Sequence, residues 1–212
     1  MIVTEAVREY IERSRADPDP VLAEMEAQAA RDGIPVVFPE TGALLHVIAL
    51  ASGARRVLEV GTAIGVSTLY IARALPQDGT IVSFEIDERR HAAARDYLER
   101  AGVLERADLR LQDARDGLAT LDVPFDMAFI DGVKTQYGDY FEALLPRLRS
   151  GAVLAVDNVL MSGTVAEGHS DGRWTDEQIR TARAFNQRLL EHDELDGTIT
   201  PVGDGVLLAV RR

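Results

Sequence analysis

The stretch that most constrains this 212-residue chain is Arg56-Val-Leu-Glu-Val-Gly-Thr-Ala-Ile-Gly-Val-Ser67. Val57, Leu58 and Val60 form a short apolar run without helical period; Gly61 and Gly65 follow, and then a helix-compatible segment through Leu75. The pattern predicts a buried strand, a tight loop and a helix N-terminus. In an open α/β sheet such a junction lies at the carboxyl end of a strand, where small ligands bind. The two glycines let the backbone turn and approach a ligand with no Cβ in the way.

Charge narrows the ligand. A dinucleotide fingerprint reads Gly-x-Gly-x-x-Gly, and its middle glycine admits a pyrophosphate to the backbone. Here that place is taken by Ala63, and Glu59 sits just before the turn, where a carboxylate repels a pyrophosphate and suits a cation. The next strand, Thr80-Ile-Val-Ser-Phe-Glu85, ends in a second acid placed to accept hydrogen bonds from ribose hydroxyls. A nucleoside with a positively charged tail and no phosphate satisfies both acids, and S-adenosylmethionine (SAM) is such a molecule. A plain strand-turn-helix without a ligand has the same local pattern.

The chain before this stretch reads as helical: 3–15 carries Val3, Val7, Tyr10 and Ile11 at helical spacing, Asp17-Pro-Asp-Pro20 breaks it, and 21–31 resumes. A loop at 33–40 leads to a buried helix over 41–51. Downstream, strands and helices alternate. A helix over 88–100 is stopped by Gly102, a short strand covers 109–111, and a brief helix surrounds Leu118. A strand over 125–130 ends at Asp131, a helix over 137–148 is stopped by Ser150-Gly151, and a strand over 152–156 ends at Asp157-Asn158. After a glycine-bearing loop, Thr175-Asp-Glu-Gln178 has the form of a capping box and opens a helix through Glu191. Two closing runs, 198–202 and 206–210, flank Gly203-Asp-Gly205 and predict an antiparallel hairpin. The expectation is one α/β domain over 1–212, with a helical cap over 1–50 and a core over 56–212. Its sheet is mainly parallel, covered by helices on both faces and made mixed by the hairpin.

A net charge of -12 and the lack of a basic cluster argue against a nucleic-acid partner. Without cysteine there are neither disulfides nor thiolate metal sites. No apolar run approaches about 18 residues and no charged segment precedes one, so neither a membrane span nor a signal peptide is expected, and the cytoplasm is the default compartment. Against 22 arginines stands a single lysine, Lys134. Arginine stays protonated, whereas a lysine amine can be tuned toward neutrality and act as a base. Chance survival of one lysine is the equal alternative.

Parallel strands share direction, so Asp131 and the pair Asp157-Asn158 fall on one edge of the sheet. Two carboxylates and an amide oxygen make a hard-oxygen site that suits Mg²⁺, with Ca²⁺ or Mn²⁺ as substitutes. Acids at strand ends also cap helices or face solvent. Lys134 follows Asp131 closely and points over the same edge. Beside a dication it would be pushed toward its neutral form and could serve as general base for a hydroxyl. The plainer reading is a surface lysine paired with Asp131 or Asp157.

Five motifs occur in order: Val57-Leu-Glu-Val-Gly-Thr-Ala-Ile-Gly-Val-Ser67; Phe84-Glu-Ile-Asp87; Phe129-Ile-Asp-Gly-Val-Lys134 with Tyr137 and Tyr140; Val156-Asp-Asn-Val-Leu160 followed by Gly163; and Pro201-Val-Gly-Asp-Gly-Val206. Over 34–212 the chain resembles the cation-dependent, SAM-dependent O-methyltransferases typified by caffeoyl-CoA and catechol O-methyltransferases. The resemblance implies a class I, Rossmann-like methyltransferase fold with a seven-stranded sheet, and commonly a homodimer. It places Glu59, Gly61 and Ser67 along the methionine portion of SAM, Glu85 on the ribose and Asp113-Ala114 on the adenine, with Val37 and Asp131 also on the cofactor. It makes Asp131, Asp157 and Asn158 metal ligands, with Lys134 and Asp131 as catalytic residues. The reaction implied is methyl transfer to a hydroxyl of a small catechol-like aromatic acceptor. A metal-independent methyltransferase and a non-catalytic SAM-binding protein are the alternatives, with a nucleotide-cofactor oxidoreductase behind them.

Departures from the family pattern fall on the acceptor side. Relatives read Asp-Ala-Asp-Lys where this chain has Asp131-Gly-Val-Lys134, and an aromatic residue where it has Met161, so the acceptor pocket is reshaped. A glycine is usual at Ala152. His46, His91, His169 and His192 match no motif, and His46 reads as a core or interface histidine. Arg173 and Trp174 are placed either to line the acceptor site or to anchor their loop.

Overall fold

The computed structural model describes residues 4–14, 19–170 and 172–212. The helix ends expected at Val3 and Arg15 and the first half of the Asp-Pro-Asp-Pro break lie outside the described residues. The organising strand is β1 (Arg56–Val60), flanked by β2 (Thr80–Glu85) on one side and β4 (Phe125–Ile130) on the other. With β3 (Ala107–Leu111), β5 (Leu148–Val156), β6 (Leu195–Thr200) and β7 (Val206–Arg211) they form a seven-stranded sheet in the order β3-β2-β1-β4-β5-β7-β6. The first five strands are parallel, and β7 runs antiparallel to both β5 and β6. The carboxyl ends of β1, β2, β4 and β5 therefore share one rim.

Strand periodicity divides the core. Leu58, Val60, Phe84, Ile130 and Val156 face a layer made by α6 (Ala114–Leu118), α7 (Tyr137–Leu144) and α9 (Asp176–Leu190). Val57, Ile81, Met127 and Phe129 face the opposite layer, α2 (Pro20–Asp32), α3 (Pro39–Ser52), α4 (Val66–Ala74) and α5 (Glu88–Arg100). Helix α1 (Glu5–Ser14) leaves Val7, Tyr10 and Ile11 exposed. No helix among the described residues is long and apolar enough to cross a membrane.

Several boundaries differ from the sequence expectation, each for a local reason. The helix over 41–51 begins earlier, because Pro39 has its φ preset for a first helical turn, and it buries only one side; Val47 and Leu50 are exposed. Helix α7 stops at Leu144 rather than 148, just ahead of Pro146, which has no N–H to continue the ladder. Ser150-Gly151 does not end a helix. It lies inside β5, where the register against β4 slips and Gly151 takes φ +77. Strand β6 starts before 198, and the loop after β5 contains a further short helix, α8 (Thr164–Glu167).

Candidate active site

The β1–α4 turn forms one end of the site. Gly61 has φ +99, and a Cβ there would lie 2.3 Å from the carbonyl oxygen of Asp131, so both conformation and space demand glycine. Ala63 also adopts positive φ, and its N–H donates to Glu85 Oε2 at 2.8 Å. The other oxygen of Glu85 accepts from the N–H groups of Ile86 and Asp87 at 2.8 and 2.9 Å. Three backbone donors thus fix this carboxylate at the rim. Asp113 caps α6 by accepting from Arg115 N–H, and the Arg115 guanidinium holds its carboxyl below the usual range.

A cavity of about 470 Å³ spans the rim and is lined by every predicted site residue except Glu59. Val37, Gly61, Ser67, Glu85, Asp113 and Ala114 lie on its walls, as do Asp131, Lys134, Asp157 and Asn158. Glu59 is fully buried behind Ser67, whose hydroxyl donates to Oε1 at 2.6 Å, while Ser83 and Thr68 donate to Oε2. Burial pushes the Glu59 carboxyl up, and the three hydroxyls pull the other way. The sequence expectation that Glu59 presents charge to a ligand is therefore corrected. Register places Ser83 of β2 beside Glu59, and the first turn of α4 closes over it. Its influence on the cavity passes through the orientation of Ser67.

The acids and the lysine meet at the other end. Lys134 Nζ donates to Asp131 Oδ1 and to the Tyr137 hydroxyl, both at 2.7 Å, and to Asn158 Oδ1. Lys134 and Asp131 pair in the cavity wall with side chains only 19% exposed, not on the open surface. Tyr137 in turn donates to the Asp157 carbonyl oxygen at 3.2 Å. Asp157 is 1% exposed, and its Oδ1 has no hydrogen-bond partner among the described residues. Burial, reinforced by the Asp131 charge, pushes the Asp157 carboxyl up to about 7. Burial raises Asp131 as well, against the opposing pull of Lys134.

The O-methyltransferase family model matches residues 12–212. Catechol O-methyltransferase of Niastella koreensis is 34% identical over 98% of this chain and 97% of its own. Catechol O-methyltransferase of Mycobacterium tuberculosis is 36% identical over 96% and 94%. The chain belongs to the O-methyltransferase family.

Solved structures agree. The O-methyltransferase TomG of Streptomyces achromogenes, involved in tomaymycin synthesis and crystallised with SAM, superposes with TM-score 0.84 at 34% identity over 97% of this chain and 96% of that one. The O-methyltransferase of Bacillus cereus in complex with SAH gives 0.85 at 31% identity over 98% and 97%. This protein is thus an enzyme of the SAM-dependent O-methyltransferase class, with the Rossmann-like class I fold.

Arg173 and Trp174 line the cavity, the Arg173 guanidinium lying 5.4 Å from the Trp174 ring centroid. None of the four histidines lines it; His46 Nδ1 sits 2.9 Å from the Tyr70 carbonyl oxygen. A second chamber of about 240 Å³ shares Lys134 and Asn158 with the first and is walled by Tyr137, Met161 and Phe185. Among the described residues no group of three or more His, Cys, Asp or Glu side chains is arranged to hold a metal; the donors gathered here are two carboxylates and an amide. Sequence reasoning missed Asp204, which lines the cavity from the β6–β7 turn. The available signal was topological: a strand antiparallel to β5 brings its preceding turn to the carboxyl end of β5.

Proposed function

We propose that this methyltransferase transfers the methyl group of SAM to a hydroxyl of a small catechol-like aromatic acceptor, assisted by a divalent cation. The observation that carries the cation is the buried Asp157 Oδ1, which has no hydrogen-bond partner among the described residues and belongs to the same cavity wall as Asp131 and Asn158. An unpaired buried carboxylate costs several kcal/mol in general and is retained where it binds a cation or does chemistry. Two carboxylates and an amide oxygen fit a hard, oxygen-preferring ion such as Mg²⁺. Asp131, Asp157 and Asn158 would hold such an ion, and the chemistry it would supply there is Lewis acidity toward a hydroxyl.

SAM supplies an electrophilic methyl group on a sulfonium. The chain's own residues receive it along the cavity. The wall beside Gly61 and Ser67 suits the methionine portion, Glu85 accepts from ribose hydroxyls, and Val37, Asp113 and Ala114 bound the adenine end. Lys134 Nζ lies where it can hold or take the acceptor's proton. Trp174 and Arg173 add an aromatic face and a cation to the cavity wall. Positioning of this kind supplies several kcal/mol of a barrier. Ala63 in place of a middle glycine, together with the acids at the rim, disfavours a dinucleotide. The proposal also takes the enzyme as a cytoplasmic homodimer, with the exposed Val47 and Leu50 of α3 available for contact.

The test is calorimetric titration with SAM, followed by methyl transfer to catechols with Mg²⁺ or with chelator. Turnover is expected with Mg²⁺ and its loss with chelator, while SAM binding survives both; equal turnover in the two arms rejects the cation. Asp157→Ala should match the chelated wild type. Lys134→Met should lower kcat and alter the pH–rate profile, and an unaltered profile removes the lysine from the proton's path.

A further inference from the structure

The second chamber, of about 240 Å³, has no part in the proposed reaction. It lies between the start of α7, the segment that leaves β5, and α9, and it joins the catalytic cavity at Lys134 and Asn158, which line both. Val159, Met161, Tyr137 and Phe185 give it apolar walls. The Phe185 ring is fixed in place, edge to face with Tyr137 at a centroid distance of 5.7 Å and with Phe141 at 6.3 Å. An apolar cavity of about 150 Å³ admits benzene, so this chamber has room for a ring or for a chain of several heavy atoms.

One polar group in this wall is unanswered. Asn186 of α9 is 5% exposed, and its Nδ2 donates to the Val159 carbonyl oxygen at 2.8 Å. A carbonyl only accepts, so this contact settles which end of the amide is which. Asn186 Oδ1 is buried and has no hydrogen-bond partner among the described residues. Buried acceptors are almost always met, by protein, water or ligand. Arg188 lines the chamber too, but its guanidinium is paired with Glu142 and lies 5.5 Å from the Phe141 ring centroid. Its charge is thus already answered, and the amide oxygen is not.

We propose that this chamber is a subsite for a neutral arm carried by the methyl acceptor, apolar along its length and ending in an O–H or N–H that donates to Asn186 Oδ1. The proposal deepens the catechol reading and rests on it. Lys134 and Asn158 belong to the place where the reacting hydroxyl is handled, so a substituent on the same ring extends past them into the chamber. An acceptor without the arm leaves the amide oxygen unmet. A site with a committed hydrogen-bonding group discriminates against an analogue lacking the matching group more sharply than against a missing methylene.

The test compares bare catechol with three catechols that differ in a para arm: hydroxypropyl, its isostere butyl, and the anionic counterpart dihydrocaffeate. Each is titrated calorimetrically onto the full chain with SAH and Mg²⁺, and each is offered for turnover with SAM. The hydroxypropyl compound should bind about tenfold tighter than the butyl one, the effect of a single hydrogen bond, with the same ratio in kcat/KM. Equal affinity for the two overturns the proposal, and so does a preference for the carboxylate, which would hand the arm to Arg188. Asn186→Leu should bring the hydroxypropyl and butyl compounds to equal affinity. A merely structural role for Asn186 would weaken all four acceptors by one factor and keep the tenfold ratio, which overturns the proposal as well. Ala182→Phe fills the chamber from α9 without touching that amide and should remove the advantage of the neutral arms over bare catechol; an advantage that survives counts against the subsite. Because calorimetry needs no turnover, a wild type that binds these compounds but methylates none rejects the catechol reading and leaves the affinity ratio to decide the chamber. Binding of none of the four rejects both.

Discussion

Strand β4 carries an aspartate near each end, and the two have opposite surroundings. Asp126, at the amino end, accepts from the backbone N–H groups of Arg55 and Arg56, each at 2.8 Å, and from Arg149 Nε at 2.5 Å. Burial works against ionisation there, but the Arg149 guanidinium and the two N–H groups outweigh it and hold the carboxyl below its usual range. Asp131, just beyond the carboxyl end, has Lys134 as its cation and lies close to Asp157 and Asp204. Burial wins at this end, and both Asp131 and Asp157 are raised. One pole of the sheet satisfies its charge with fixed donors; the other concentrates charge that a ligand can answer. Stability and chemistry are thereby assigned to opposite ends of the same strands.

The largest break of this contrast comes from Asp126→Ala. It removes the acceptor shared by three donors and should cost about 2 kcal/mol of unfolding free energy in urea, with kcat unchanged. A loss of kcat without a loss of stability would erase the division of labour. Next, and opposite in sign, Asp157→Asn in chelator removes a buried charge whose Oδ1 has no hydrogen-bond partner among the described residues, and should stabilise by about 1 kcal/mol while abolishing cation-dependent turnover. Destabilisation would mean that the Asn158 N–H and Lys134 outweigh the cost of burying that charge. The smallest effect is in acid. Because the folded pKa of Asp126 lies below that of the unfolded chain, near 3.9, its contribution is present above that value and is lost as pH falls through the folded one. Wild type should therefore lose more stability between about pH 4 and 2 than Asp126→Asn, and parallel curves would deny Asp126 this role.

Much of this architecture was legible because it is written locally. The Gly61 turn, the alternation of apolar strands with helices and the acids ending β2, β4 and β5 each occupy a few consecutive residues. The single lysine pointed to position 134 without any structure. What escaped reading depends on residues that meet only through register. Glu59 looked like a free charge because its hydroxyl partners come partly from Ser83 on a neighbouring strand. Asp204 looked like an ordinary turn residue because its relation to Asn158 spans 46 positions. The early start of β5 was hidden by Gly151, which signals a stop in a helix and a bulge in a strand with equal force.

The close approach of Gly61 to the Asp131 carbonyl has an evolutionary consequence. There the pocket's two halves are joined main chain to main chain, so no side-chain replacement can widen the gap between them without disrupting the rim. Diversification of such an enzyme must proceed instead through side chains elsewhere on the cavity wall, Val37, Val133, Arg173 and Trp174 among them. That seam stays fixed while its borders are rewritten.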